Sequence, residues 1–222
     1  MQDISVVLAR VFAFLPLEDL NPHGRFFYPE LVPALVERYG FLQRPEKPED
    51  FNEEKGISFA FGRYNEVTID SVKLVETGIA VDTLASTEDS EEILMDALEY
   101  VTQKFDLRFR PDMIKRKIYL SQLAFYSDAP LLHLNPVMDV VANAVSESAS
   151  ADFGLPLEYE PTVFICQYDP VVTPSGPAVF TIQRRDKQRF SDNKYFSVAP
   201  LQTRKHIQLL EKIETAMFSA SG

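Results

Sequence analysis

Hydrophobic positions recur along this chain at two periods, and both are clearest between Gly56 and Phe105. Ile57, Phe59 and Phe61 alternate with Ser58, Ala60 and Gly62, which predicts a strand with its bulky apolar groups on one face. Val67 to Leu74 is rich in β-branched residues, and Glu76-Thr77-Gly78 turns the chain into Ile79 to Leu84, so an antiparallel meander is the simplest arrangement. A helix follows, capped by Ser86 or Thr87. Its acidic first turn (Glu88, Asp89, Glu91) suits the positive end of the helix dipole, and Lys104 suits the negative end. Ile93, Leu94, Ala97, Leu98, Val101 and Phe105 make one apolar stripe that must pack on something, and the meander is nearest.

The same order of elements returns between Glu158 and Phe218 with different residues. Val163 to Tyr168 and Ala178 to Arg184 read as strands around Asp169-Pro170 and a stiff Thr173-Pro174-Ser175-Gly176-Pro177 loop. Tyr195 to Val198 adds a third short strand. Thr203 caps a last helix whose Ile207, Leu210, Ile213 and Met217 share a face. Shared order without shared letters fits either an internal duplication or ordinary recurrence of such units.

Elsewhere the pattern is less regular. Ile4 to Phe14 reads as a strand, Pro29 to Tyr39 as a short helix with Pro33 in its first turn, and Met113 to Tyr126 as a long strand. Val137 to Val145 reads as a helix behind Asn135-Pro136, with Ser146 to Asp152 as a linker. The predicted fold is α+β: a largely antiparallel sheet with helices packed on it, built of two strand-strand-strand-helix units. A single domain over 1–222 is expected, with 1–145 and 153–222 as its sub-units.

Composition narrows the classes. No apolar run reaches the roughly 20 residues that span a bilayer, so no membrane partner is expected. One cysteine allows no internal disulfide and suits a reducing cytoplasm. A net charge of −11 repels phosphate backbones, so nucleic acid is expected to be an unlikely partner. Two basic islands interrupt the acid: Arg108, Arg110 and Lys115 to Lys117, and Arg184, Arg185, Lys187 and Arg189 with Lys194 behind them. They serve either to solvate strand ends or, where the two meet, to bind an anion.

No constellation commits the chain to a reaction. His23, His133 and His206 share no metal-ligand spacing with one another or with Cys166, and no nucleophile elbow or phosphate-cradling glycine loop appears, so neither metal nor cofactor is expected. Cys166, inside Val-Phe-Ile-Cys-Gln-Tyr, is expected to be a small core residue. Asp169 followed by Gln183-Arg184 is a poor match to the acid and base residues that metal-dependent nucleases place on neighbouring strands.

The positive signal is aromatic. Phe26, Phe27 and Tyr28 lie beside a turn, and Phe190, Tyr195 and Phe196 flank Ser191-Asp192-Asn193. Aromatics on irregular segments either anchor interfaces or close cores under loops. The expectation is a non-enzymatic cytoplasmic interaction or assembly subunit, with a protein partner or self-association through those six aromatics. The alternative is an enzyme or ligand-binding protein for an anion, nucleic acid included, through Arg184, Arg185, Lys187 and Arg189.

Overall fold

The N-terminal alternation becomes one strand of 13 residues, β1 (Gln2–Phe14), in which Ala9, Val11 and Ala13 are buried and the residues between them are not. The computed structural model describes residues 1–21, 28–52, 54–132, 136–173 and 176–220. Among them are eight strands of an antiparallel sheet and five α-helices, so the fold is α+β. The chain forms two compact units. The first comprises Val6–Ser121 and Pro200–Arg204; the second comprises Met1–Ser5, Gln122–Ala199 and Lys205–Gly222.

In the first unit β1 leads through the one-turn helix α1 (Leu17–Leu20) to α2 (Leu31–Tyr39), which carries Pro33 in its first turn and ends on Gly40 in the left-handed conformation. The meander follows as β2 (Ile57–Tyr64), β3 (Val67–Val75) and β4 (Gly78–Thr83). Registers such as Phe59 opposite Val72, Val72 opposite Val81 and Val81 opposite Val11 align the inward apolar groups from strand to strand. Glycine at 78 lets β4 run close to β1, since a Cβ there would lie 2.1 Å from the Ala13 carbonyl oxygen.

The expected alternation fails at Phe61. Its φ of 57° is left-handed, so the chain flips there. Phe61 is 49% exposed while Gly62 turns inward, where a Cβ would meet the Phe41 ring at 2.6 Å.

Helix α3 (Thr87–Phe105) begins as expected, with Ser86 Oγ accepting from the Asp89 amide. Ile93, Leu94, Leu98 and Val101 are all buried in the core that the meander forms. Polar ties fix the helix in place: Ser90 Oγ donates to the Ala9 carbonyl at 3.0 Å, and Asp96 accepts from Arg38 Nε at 2.7 Å and from the Tyr39 hydroxyl. Strand β5 (Arg116–Tyr126) is shorter at its start than the expected strand, because Pro111–Met113 forms a 3-10 turn.

The second unit begins with the end of β5 and continues into α4 (Pro136–Phe153). The expected linker, Ser146 to Asp152, is instead the last part of this helix. Two of its serines satisfy their hydroxyls within the helix, Ser146 on the Ala142 carbonyl at 2.8 Å and Ser148 on that of Ala144 at 2.9 Å, so small polar residues do not break it. Strands β6 (Val163–Cys166), β7 (Phe180–Arg184) and β8 (Lys194–Ala199) then pair antiparallel, and α5 (Thr203–Ala220) closes the chain. Thr203 proves to be the first residue of that helix, its hydroxyl accepting from the Thr87 amide while its own amide donates to Thr87 Oγ1.

Cys166 is exposed at the end of β6, which corrects the expectation of a core thiol. The strand stops there, and an edge strand leaves its last residue with little to cover it.

Candidate functional site

The two faces of the sheet in the second unit have opposite characters. Ile182 on β7, Tyr195, Ser197 and Ala199 on β8, and Leu123 and Phe125 on β5 are all buried. Helix α5 belongs to that side: His206 is fully buried, its Nε2 lying 2.8 Å from Ser197 Oγ and its ring standing edge-on to Phe180 at 6.2 Å. Burial alone pushes the His206 pKa down to about 4. Its folded value is below the roughly 6.5 of an unfolded chain, so the neutral ring favours folding at neutral pH. As pH falls from 6.5 towards 4 the unfolded state takes up a proton that the folded state refuses. Stability is therefore expected to drop across that window by about 3 kcal/mol. Urea melts at pH 7 and near pH 4 measure it, and His206→Gln should flatten the slope relative to the parent chain.

The other face is the more exposed of the two. Alternation places Gln122, Ala124 and Tyr126 of β5, Thr181 and Gln183 of β7, and Lys194, Phe196 and Val198 of β8 there, all partly exposed. At its edge, Val163 and Ile165 of β6 are 45% and 58% exposed. The register sets Gln183 opposite both Val163 and Phe196, and Thr181 opposite both Ile165 and Val198.

Cations lie over its rings. Lys194 Nζ sits 4.8 Å from the Tyr126 centroid, and Arg185 Cζ sits 5.7 Å from that of Phe196. None of these strand positions is acidic; the acids of this unit are Asp3 on β1 and others on α4 and α5, in the turns and in the segment before β6. A floor of mixed polar and apolar residues, with two aromatic rings and positive charge beside them, is thus the more exposed face of this unit in a chain of net charge −11.

The residues singled out from the sequence separate onto the two faces. Arg184 points inward and is buried, pairing with Glu160, donating through Nη1 to the Phe190 carbonyl at 2.7 Å and lying 4.6 Å over the Phe190 ring. Tyr195 is buried beside it, its hydroxyl accepting from the Leu131 amide at 3.1 Å and donating to Asn193 Oδ1 at 3.2 Å. Those two side chains are held in the interior. Lys187, with φ of 61°, sits in the turn after β7, and Arg189 is exposed further along it. Arg185 and Phe196 meet on the open face. Phe26 and Phe27 lie outside the described residues, as do His23 and His133, and Tyr28 opens a 3-10 turn.

Tyr126 and Gln183 carry no motif that marks a binding surface, although strict alternation along β5 and β7 puts them on the same face as Phe196. In the first unit the other basic island is largely engaged: Lys117 donates to Glu91 at 2.6 Å, Arg110 pairs with Asp112 at 3.3 Å and Arg116 lies 4.4 Å over the Phe14 ring. The acid-base pattern at Asp169 does not assemble either, since Arg184 is taken by Glu160 and Asp169 Oδ1 accepts from the Val171 amide. No group of three metal-ligating side chains comes together among the described residues.

No protein-family model matches the chain, and no curated protein does. Solved structures do match it. One is Methanococcus jannaschii TBP, at 15% identity and a TM-score of 0.45, the match covering 98% of this chain and 99% of that one. The expectation of a protein partner or self-association, with nucleic acid unlikely, is not carried forward, because cations and no acid of β5, β7 or β8 border the more exposed face of this sheet. The physical reason is that −11 is a sum over the whole chain, and a sum does not describe the field at one face. No helix among the described residues is long and apolar enough to cross a membrane.

Proposed function

We propose that the open sheet face of the second unit binds single-stranded nucleic acid. The observation that carries the reading is the pairing of aromatic rings with cations, Phe196 with Arg185 and Tyr126 with Lys194, on strand positions that carry no acid. Bases without partners stack on aromatic side chains for about 1–3 kcal/mol each, and flanking cations take the phosphates. A flush sheet surface suits unstacked bases, because the ring faces are reached from above without a groove. The reading is one of binding. With it we propose a cytoplasmic location, on the grounds that the lone exposed thiol of Cys166 suits a reducing compartment.

Fluorescence anisotropy of a labelled oligonucleotide tests the reading. Phe196→Ala is expected to weaken binding about five- to 150-fold, the equivalent of one lost stack. Two phosphate contacts give a slope of log affinity against log salt of about −1.4, and Arg185→Ala or Lys194→Ala should each lower its size by about 0.7. Absence of binding at low salt, or equal affinity in Phe196→Ala, overturns it.

A further inference from the structure

We infer that the open face seats two consecutive nucleotides of one strand, one base on Phe196 and the next on Tyr126, an inference that rests on the reading of that face as a nucleic-acid surface. The rungs of the sheet fix where the groups stand. Arg184 is opposite Tyr195, and the Arg185 amide donates to the Lys194 carbonyl at 2.9 Å, so Arg185 and Lys194 face each other across β7 and β8. The Ser127 amide donates to the Asn193 carbonyl at 3.0 Å, which sets Tyr126 beside Lys194 on the next strand, β5. Arg185, Lys194 and Tyr126 thus make one row across three strands, and Phe196 stands in the row behind, two residues along β8 and diagonal to Tyr126. Diagonal neighbours on a sheet are about 7 Å apart. That is double the roughly 3.4 Å between nucleotides of a stacked strand, so the two rings fit adjacent bases of an unstacked strand and not those of a duplex.

Charge gives the same count. Like charges directly opposite on neighbouring strands repel, and neither Arg185 nor Lys194 pairs with an acid among the described residues, so phosphates beside them relieve a standing repulsion. Each cation lies over a ring, Arg185 over Phe196 and Lys194 over Tyr126, which gives each ring one cation for the phosphate of its own nucleotide. The rows behind are neutral, with Gln183 opposite Phe196 and Thr181 opposite Val198. Beyond Tyr126 the surface turns acidic: the Asp128 side chain is 53% exposed and accepts from Gln2 Nε2 at 2.8 Å, and Asp3 is exposed on β1. A third phosphate on that side meets carboxylates.

Competition against a labelled oligonucleotide, read by anisotropy, tests the footprint with thymidine 5′-monophosphate and the 5′-phosphorylated di- and tetrathymidylates. The dinucleotide is expected to bind about five- to 150-fold more tightly than the mononucleotide, the gain of a second stack. Phe196→Ala and Tyr126→Ala should each return the dinucleotide to the mononucleotide's affinity, whereas the mononucleotide, which can take either ring, should lose only about half of its own. Lengthening from two to four nucleotides should add no more than the statistical gain of about threefold. A dinucleotide bound no more tightly than the mononucleotide, or one that keeps its affinity when either ring is removed, overturns the shared step and leaves the binding face standing. A steep rise to the tetranucleotide that Lys187→Ala abolishes shows a strand continuing over the turn after β7 and overturns the two-nucleotide footprint. Failure of every oligonucleotide to bind overturns the binding face itself and this footprint with it.

Discussion

Leu98→Asp is expected to abolish cooperative folding. Leu98 is 1% exposed in the stripe that α3 presents to the meander, with Leu94 and Ile93 equally buried beside it. A carboxylate there has no cation within the apolar core, and burying an unpaired charge costs several kcal/mol against a total stability of about 5–15 kcal/mol. Leu98→Ala gives the graded comparison, a loss of about 2–5 kcal/mol from the missing methyl groups and the cavity they leave. Circular dichroism and thermal melting read both. A soluble Leu98→Asp protein with an unchanged melting temperature would show that this helix face is not packed.

Arg184→Leu is expected to cost about 1–3 kcal/mol, since it removes the buried guanidinium that pairs with the part-exposed Glu160 and donates to the Phe190 carbonyl. It also separates two accounts of the basic island. Arg184 and Arg185 are consecutive on the strand end, yet the first is a clamp of the interior and the second borders the open face. Under conditions where Arg184→Leu is folded, its oligonucleotide affinity should match that of the parent chain, whereas Arg185→Ala should keep its stability and lose affinity. A stability loss in Arg185→Ala with none in Arg184→Leu would reverse the assignment.

Much of the fold is legible in the residues because it is local. The strands from Ile57 to Thr83 and the capped, striped helix after them depend on periodicity, turn residues and an N-cap within a few residues of one another. The C-terminal unit is legible for the same reason. What escapes is set by contacts distant in sequence. The alternation from Phe180 to Arg185 shows that neighbours point to opposite faces, but not which face a helix will cover; that depends on α5 and on Glu160, 24 residues before Arg184. Phe61 escapes because one left-handed residue inverts the alternation after it. The tail of α4 escapes because Ser and Ala between Ser146 and Asp152 resemble a linker in composition, while the Ser146 and Ser148 hydroxyls close on carbonyls one turn back. Net charge misleads about partners for a related reason: it is summed before the strands have sorted acid from base.

The way the chain threads its units has a practical side. The second unit draws on three separated stretches and the first on two, with crossings after Ser5, Ser121, Ala199 and Arg204. No single cut of the gene therefore yields either unit as one contiguous product. Dissection of the binding face by truncation would remove part of both, which makes point substitution in the intact polypeptide, or co-expression of complementary fragments, the workable genetic approach.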